Sequence, residues 1–400
     1  MKRIVIITGF EAFNASLYRD AAQKAIARCP DLEVLTFNDR DLVSQPDAVV
    51  QALQGADVLF ASLIFDYDQV IWLRERVENI PVRLVFESAL ELMALTRLGK
   101  FIIGEQPKGM PKPIKFILSK FTNSKEEDKL AGYLSFLKTG PKLLKYIPAK
   151  KVQDLRNWLI IYGYWNAGGT DNVAAMCWAI AANYLGLEIG ELPAVVETPN
   201  LGLLHPDHDG YFLSPQAYLD WHHRIFPEQK LNPVVAVLLY RKHVVTKQPY
   251  IPQLIRKFEA DGLVPLPIFI NGVEAHVIVR DWLTTDYEQH QRLHGQVAIK
   301  SLKADAVRVE GIVSTIGFPL VGGPAGSMEA GRQVEVAKSI LTAKNIPYLV
   351  AAPLLIQDLH SWTRQGIGGL QSVVLYALPE LYGAIDTIPL GGLVGEDIYL

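Results

Sequence analysis

Cysteine is nearly missing from this sequence, and its scarcity excludes several classes of protein. The 400 residues include two cysteines, Cys29 and Cys177, which are far too few for a disulfide framework. No histidine or second cysteine stands near either of them at the spacing of a zinc finger. A reducing compartment is therefore expected.

Long apolar runs are missing as well. A membrane-spanning helix requires roughly 18 consecutive apolar residues, and the nearest candidate, residues 168–187, is interrupted by Asp171, Asn172 and Asn183. The N-terminal MKRIVIITGF has a basic start, but its apolar run of about five residues is shorter than the roughly 7–15 of a signal peptide. The sequence therefore predicts a first strand there and no transmembrane segment.

An excess of charge of either sign is also missing. The 39 basic and 42 acidic residues give a formal net charge of −3, and the basic residues are scattered along the chain. This argues against a broad surface for polyanions, so no nucleic acid partner is expected. Half of the residues are apolar, which is enough for more than one core, and two domains are the expectation.

Short β-branched runs alternate with helical patterns in the first part of the chain. This alternation is typical of βαβ units and a parallel sheet. Ser88 is predicted to cap a helix that runs to Leu98 and ends at Gly99. Residues 104–128 predict an exposed excursion rich in Lys and Pro, and residues 130–185 have a helical pattern. The other predicted elements are strands at Ile4–Thr8, Glu33–Phe37, Asp57–Ile64 and Arg83–Phe86, and helices at Leu17–Arg28, Ala48–Leu53 and Val70–Val77.

A second alternating series follows Pro233. VVAVLLY, residues 234–240, is a continuous apolar run of the kind found in strands buried on both faces. Residues 373–377 fit a helix or a strand equally well. The other predicted elements are strands at 263–270, 311–316 and 348–351, and helices at 251–260, 273–283 and 328–344.

The two series together predict the fold class. It is α/β, with two parallel-sheet layer-sandwich units, Rossmann-like or flavodoxin-like, and a helical insertion between them. The predicted boundaries are 1–100 for the first α/β unit, 101–190 for the insertion, 191–232 for a connection, and 233–400 for the second unit, truncated at 400.

The stretch GFPLVGGPAGSMEAG, residues 317–331, has the glycine content of a phosphate-binding loop. Its glycines match neither G-x-G-x-x-G nor G-x-x-x-x-G-K-[ST], and Pro324 removes an N–H donor. A tight crossover from a strand to a helix is therefore favoured. Because parallel sheets bind ligands at the carboxyl ends of their strands, Gly322 and Gly323 remain candidates for contact with a ligand.

Histidines supply a weak metal candidate. His205 and His208, in LLHPDHDGY, form with two aspartates the densest group of potential ligands in the chain. The proline and glycine of the same segment are at least as typical of a solvated turn. His222 and His223 are adjacent on a predicted helix, where neighbouring side chains point apart and cannot chelate one ion together. We therefore predict no metal site, and only the pair His205 and His208 remains as a weak candidate.

Two further groups are candidates for facing a ligand. Arg241, Lys242 and His243 directly follow VVAVLLY, where they either meet an anionic ligand or form a solvated basic loop. Glu87 ends the strand RLVF and presents a carboxylate at the sheet edge, although capping by Ser88 explains this pair equally well. No G-x-S-x-G elbow is present, and no catalytic residue is predicted.

Several segments, in order and over nearly the whole chain, resemble the N-terminal part of the large H subunit of magnesium chelatase and its cobaltochelatase relatives. Each segment alone is a weak match, but their joint occurrence at compatible spacing is specific. The start of the chain, before Leu95, matches only loosely, and Asn166 stands where an apolar residue is expected. The segments are LTRLGKF (95–101), PKLLKYIPAKKVQDLR (141–156), YWNAGGTDN (164–172), LLHP (203–206), GFPLVGGPA (317–325), IPYLVAAPLLIQ (346–357), ALPELYGAI (377–385) and GGLVGEDIYL (391–400).

The resemblance implies a role in chlorophyll or bacteriochlorophyll synthesis. In this family the H subunit binds protoporphyrin IX and is the place of Mg²⁺ insertion, and both the porphyrin and the ion are substrates. ATP is implied to be bound by a motor of two smaller AAA+ subunits, which agrees with the missing Walker motif here. The implied partners are these two subunits, the porphyrin and the remainder of the H subunit. The implied location is the cytoplasm or, in a plastid-bearing organism, the plastid stroma, free or peripheral to membranes.

The family's proteins are several times longer than this chain, which ends inside a matched motif at Asp397–Leu400. We therefore expect a partial chain that lacks the active centre and is inactive alone. Two alternatives stay open: the large subunit of a cobaltochelatase, and a stand-alone module that binds tetrapyrrole or protein partners without catalysis.

Overall fold

The chain folds into two compact units, residues 1–197 and 198–400. The computed structural model describes residues 1–103, 139–271, 275–296, 299–321, 334–385, 387–395 and 397–399. The excursion predicted at 104–128 lies outside these residues, as do the first turns of the helices predicted at 130–185 and 328–344. The finer domain boundaries at 100, 190 and 232 remain predictions.

The first unit is built on a sheet of six strands in the order β2-β1-β3-β4-β5-β6. The four strands β1 to β4 are parallel, whereas β5 and β6 pair antiparallel at one edge. All four predicted strands are present. The strands are β1 Lys2–Thr8, β2 Leu32–Asn38, β3 Val58–Ser62, β4 Val82–Phe86, β5 Arg97–Leu98 and β6 Phe101–Ile102.

Helices cover both faces of this sheet. Successive side chains of a strand point to opposite faces, so Ile4 and Ile6 join a core with α1, α6 and α7, whereas Val5 and Ile7 join a second core with α3 and α4. The helical segment predicted between the two sheets thus packs on the first one. The helices are α1 Ala15–Arg28, α2 Asp41–Ser44, α3 Pro46–Gln54, α4 Tyr67–Val77, α5 Leu90–Met93, α6 Lys150–Ala167 and α7 Thr170–Ile180, with a further turn at 139–144.

The helix predicted from Ser88 to Leu98 is wrong beyond its first turn. Only α5 forms, and the chain then enters β5. Thr96 favours this outcome, because its hydroxyl exchanges hydrogen bonds with the backbone of Val85 on β4. Gly99, with φ of 60°, turns the chain between β5 and β6. Ser88 does not cap the helix, since its Oγ accepts a hydrogen bond from Ile64 N and donates to Phe86 O.

The second unit is built on a sheet of seven strands in the order β15-β14-β13-β12-β8-β9-β7. The five central strands are parallel, and β7 and β15 are antiparallel edge strands. Together with the first sheet, this confirms the predicted α/β class of two parallel-sheet units. The strands of this unit are β7 Leu201–Leu203, β8 Val234–Tyr240, β9 Val264–Ile270, β10 Leu283–Thr284, β11 Val307–Arg308, β12 Gly311–Ser314, β13 Tyr348–Asp358, β14 Thr387–Val394 and β15 Asp397–Tyr399.

The helices of the second unit enclose its main core. The helix predicted at 273–283 ends early, because Leu283 enters the short strand β10, which pairs with β11. Val373–Ala377, which the sequence left open, is a π-helical turn. No helix of the described residues is long and apolar enough to cross a bilayer. The α-helices are α8 Pro215–Ile225, α9 Arg241–Val245, α10 Tyr250–Ala260, α11 Ala275–Asp281, α12 Asp286–Leu293, α13 Val334–Lys344, α14 Leu359–Gln365, α15 Gly369–Ser372 and α16 Leu378–Glu380.

Candidate functional site

Three non-glycine residues at the carboxyl edge of the first sheet have a left-handed backbone. Phe10, Leu63 and Glu87 follow β1, β3 and β4, with φ of 55°, 59° and 45°. Each such residue costs on the order of 1–3 kcal/mol, and residues of this kind cluster at functional sites. The strand order also reverses between β1 and β3, which is the position where open parallel sheets bind ligands. This edge is therefore the first candidate site.

The loops at this edge are closely packed. Gly9 N donates to Ser62 O at 2.8 Å, and a Cβ on Gly9 would collide with the Leu63 carbonyl. The ring of Phe10 stacks on that of Phe65, with centroids 5.6 Å apart. Only glycine fits at position 9, because a backbone carbonyl, unlike a flexible side chain, cannot move aside. The packing brings the loops after β1 and β3 together into one surface.

Polar side chains line the same edge. The sequence-predicted Glu87 lies here, and its Oε1 accepts a hydrogen bond from Tyr162 on α6 at 3.3 Å. Glu11 is buried and accepts a hydrogen bond from the Tyr18 hydroxyl. Asn14 Oδ1 and Ser62 Oγ are buried and have no hydrogen-bond partner among the described residues. Buried polar atoms are normally paired, so these two oxygens are available to a bound water or ligand.

Asp39, directly after β2, is a carboxyl group at this edge whose pKa is shifted. Burial raises its pKa to about 6, although the N–H of Phe10, which donates to Asp39 Oδ2 at 3.4 Å, and the charge of Arg40 both lower it. Asp39 therefore changes charge near neutral pH. Sequence reasoning missed it, because an aspartate after a strand is common and its burial depends on the loops around it.

We expect Asp39→Asn to flatten the pH dependence of stability. The pKa of Asp39 is higher in the folded chain than its unfolded value of 3.8. The contribution of Asp39 to the free energy of unfolding is therefore fully present below pH 3.8 and is lost as the pH rises through 6. The wild-type free energy of unfolding should fall by about 2 kcal/mol more than that of the variant between pH 4 and pH 7. Urea titrations of both proteins across this range measure the difference, and parallel curves would contradict it.

A second candidate site lies in the second unit, where three elements converge. His205 follows β7, His222 lies on α8, and Glu259 lies on α10. Their potential metal-binding atoms all lie within 4.8 Å of one another. His205 Nε2 is 2.9 Å and His222 Nε2 is 3.4 Å from Glu259 Oε1. Both histidines are buried, as is most of the Glu259 side chain.

The charges of this cluster are fixed by burial and by one arginine. Burial lowers the pKa of His205 and of His222, and Glu259 offsets this only in part. Burial alone would raise the pKa of Glu259, but the hydrogen bonds from His205 and Arg256 outweigh it and lower that pKa. The cluster thus contains neutral imidazoles beside a carboxylate at neutral pH. Neutral imidazole and ionised carboxylate are the forms that bind metal ions.

The structure separates the two histidines that the sequence paired. His205 belongs to the cluster, whereas the ring of His208 packs on Phe212, with centroids 4.0 Å apart, and on Trp221. His222 and Glu259 were missed. A signal for His222 was available, because Pro215, Tyr218, Leu219 and His222 follow the spacing of a buried helical stripe, and all four are buried.

The basic segment after β8 is largely internal. Arg241 is buried and donates to the carbonyls of Thr198 and Pro199, each at 2.8 Å. His243 is buried, and its Nδ1 lies 2.7 Å from the Tyr250 hydroxyl. Lys242 is half-buried. The interpretation as a solvated basic loop is therefore wrong for Arg241 and His243, and contact of this segment with an anionic ligand remains a prediction.

Only the first part of the glycine-rich stretch lies within the described residues. Gly317 has φ of 74°, and Phe318, Leu320 and Val321 are buried in the core of the second unit. Leu320 N donates to the Tyr382 hydroxyl at 3.1 Å. This part is packed inward, as a tight crossover requires. The candidates Gly322 and Gly323 lie outside the described residues.

The fold and these sites define an α/β protein of two parallel-sheet units with separate polar clusters. A family model described as CobN/Magnesium Chelatase matches residues 162–397, and one described as a domain of unknown function (DUF3479) matches residues 3–159. The first match covers more than half of the chain. The chain therefore belongs to the CobN/magnesium chelatase family.

Known relatives extend this result over nearly the whole chain. The magnesium-chelatase H subunit of Chlorobaculum parvum is 33% identical over 98% of this chain, and the chloroplastic magnesium-chelatase ChlH subunit of Oryza sativa subsp. indica is 29% identical over 85%. The chain spans 29% and 24% of the lengths of these two relatives. The solved structure of the catalytic subunit of cobaltochelatase from Mycobacterium tuberculosis aligns with 99% of this chain and 25% of its own, at 18% identity and a TM-score of 0.41.

Proposed function

We propose that this chain is the N-terminal portion of the porphyrin-binding H subunit of a magnesium chelatase. The complete enzyme would insert Mg²⁺ into protoporphyrin IX in chlorophyll or bacteriochlorophyll synthesis. The observation that carries the proposal is the 33% identity to a magnesium-chelatase H subunit over 98% of the chain. Porphyrin and Mg²⁺ are substrates of the parent enzyme, and ATP is bound by two smaller AAA+ subunits that dock on the H subunit.

The region contributes a scaffold and not the metal-inserting centre. Mg²⁺ prefers oxygen ligands in an octahedral arrangement and gives up its water reluctantly. The cluster of His205, His222 and Glu259 offers two nitrogens and one carboxylate, which do not suit Mg²⁺. The chain also covers 29% of the length of its Chlorobaculum parvum relative, which leaves most of the parent for the chemistry. We infer that this region alone is inactive.

The carboxyl edge of the first sheet is the better place for contact with a ligand of the parent enzyme. It combines Glu87, the titrating Asp39 and two unpaired buried oxygens in one unit. Such an edge offers mainly hydrogen-bond acceptors to a ligand, with Arg40 beside Asp39 as a basic residue. We therefore propose that it binds a hydrogen-bond donor, either a neighbouring segment of the H subunit or a partner subunit.

A chimera tests the proposed function. We expect that this chain, replacing the matching part of the Chlorobaculum parvum protein, supports formation of Mg-protoporphyrin with that enzyme's two motor subunits and ATP. The chain alone, under the same conditions, should give no product above background. Fluorescence of the metallated porphyrin measures both. A chimera that binds the motor subunits but forms no product, or turnover by the chain alone, would contradict the proposal.

The cobaltochelatase alternative has a specific basis, because the matched family description covers both enzymes. The same chimera should be assayed with Co²⁺ and the corrin-type tetrapyrrole of cobaltochelatase. A stand-alone tetrapyrrole module would instead shift the Soret band of protoporphyrin when the isolated chain is titrated.

The proposed location, cytoplasm or plastid stroma, follows the parent enzyme; chloroplastic relatives support the stroma for a plastid-bearing source.

A further inference from the structure

The cluster of His205, His222 and Glu259 holds buried polar atoms that no described residue satisfies. Nδ1 of His222 makes no hydrogen bond among the described residues, and its Nε2 has only the 3.4 Å contact with Glu259 Oε1, although this side chain is fully buried. The hydroxyl of Tyr218, whose ring centroid lies 5.9 Å from that of His222, is also buried without a partner in the same part of the chain. Buried polar groups without partners are rare and point to a missing water, ion or ligand.

The remaining geometry is that of a preformed ligand set. Glu259 Oε2 accepts a hydrogen bond from Arg256 at 3.0 Å, which fixes the carboxylate and leaves Oε1 facing the two imidazoles. Ligand atoms about 2.0–2.1 Å from a tetrahedral ion lie about 3.3 Å apart. The distances from Glu259 Oε1 to His205 Nε2 and to His222 Nε2, 2.9 and 3.4 Å, lie on either side of that value.

We propose that His205, His222 and Glu259 bind a transition-metal ion of the Zn²⁺ type. Two imidazole nitrogens and one carboxylate oxygen form a known three-ligand set for Zn²⁺, with a water in the fourth position. This water would lie in the buried region that also contains the unpaired hydroxyl of Tyr218. The ion would join β7, α8 and α10, so its role is to stabilise the second unit. It is distinct from the Mg²⁺ that the parent enzyme is proposed to insert.

One contact must change when the ion binds. The backbone N–H of Asp207 donates to His205 Nδ1 at 3.1 Å, which keeps the ring proton on Nε2 and directs it to Glu259. An ion on Nε2 requires that proton to move to Nδ1. The side chain of Asp207 is 44% exposed, and its turn can move away without disturbing the core. The amide resonance of Asp207 should therefore shift when the ion binds.

Metal titration of the full chain tests this inference. After treatment with a chelator and gel filtration, the protein should take up one Zn²⁺, measured by atomic absorption, and its melting temperature should rise. Co²⁺ in place of Zn²⁺ should give the intense visible absorption of a four-coordinate site, whereas Mg²⁺ in equal concentration should leave both readouts unchanged. Porphyrin binding and chelatase activity do not enter these readouts, so failure here is distinct from failure of the proposed function.

Three variants assign the site. His222→Leu and Glu259→Gln should each reduce Zn²⁺ affinity at least tenfold, since each removes one of three ligands. His208→Leu is the matched control, because this histidine lies beside the cluster but outside the ligand set, and it should retain the affinity. Circular dichroism verifies that each variant is folded, and Glu259→Gln serves if His222→Leu is not. Absence of Zn²⁺ uptake by the wild type, or unchanged uptake by Glu259→Gln, would overturn the proposal.

Discussion

Replacing Lys344 by Met should lower the free energy of unfolding of the second unit by about 3–5 kcal/mol. Lys344 Nζ donates to Glu288 Oε2 at 2.7 Å and to the backbone carbonyls of Arg280 and Leu283. The side chains of Lys344 and Glu288 are 2% and 1% exposed. Burial lowers the pKa of Lys344, and Glu288 opposes this shift. Removal of the ammonium group leaves a carboxylate and two carbonyls short of a donor in the core.

The size of this effect depends on the buried carboxylate of Glu288, which keeps its ion pair with Arg292 at Oε1, 2.8 Å long, but loses its donor at Oε2. A second variant isolates this contribution. Adding Glu288→Leu to Lys344→Met removes that charge, so the double variant should be less destabilised than the sum of the two single ones. Lys338→Met, on the exposed face of the same helix α13, is the matched control and should stay within about 0.5 kcal/mol of the wild type. Urea denaturation at pH 7 measures all of these proteins. A Lys344→Met protein within about 1 kcal/mol of wild type would contradict the argument.

Strand positions could be predicted from the sequence because buried parallel strands are continuous apolar runs. VVAVLLY is β8 in full, and all four strands predicted in the first unit were found within two residues of their ends. Where a single side chain decides the local structure through a distant partner, the pattern fails. Thr96 is an example, since its bonds to Val85 turn the expected helix into a hairpin strand.

The candidate sites were harder to predict than the fold. His205 and Glu259 are 54 positions apart, and only the packing of α8 and α10 beside β7 brings them together. Asp39 and the left-handed residues Phe10 and Leu63 depend on loops that meet across two strands. Arg241 shows the converse error, because a basic residue at a strand end suggested a solvated loop, yet the residue is buried and donates to the backbone carbonyls of Thr198 and Pro199.

His243 should make the second unit sensitive to acid. Burial, with a smaller contribution from the charge of Lys242, lowers its pKa from 6.5 to about 3. Because the pKa of His243 is lower in the folded chain, its imidazole takes up a proton below pH 6.5 in the unfolded chain but not in the folded one. The contribution of neutral His243 to the free energy of unfolding is therefore complete above pH 6.5. It is lost as the pH falls toward 3. The shift corresponds to about 4–5 kcal/mol of unfolding free energy over this range.

His243→Gln isolates this contribution from the other groups that titrate in acid. The amide can still bond the Tyr250 hydroxyl, which His243 Nδ1 contacts at 2.7 Å, but it cannot take up a proton. Titrations with urea between pH 7 and pH 4 should show a smaller loss of stability in the variant, by about 1.4 kcal/mol for each pH unit below 6.5. The variant should be somewhat less stable than the wild type at pH 7 and overtake it in acid. Equal slopes for the two proteins would mean that His243 is protonated in the folded chain, and that this buried segment opens to water.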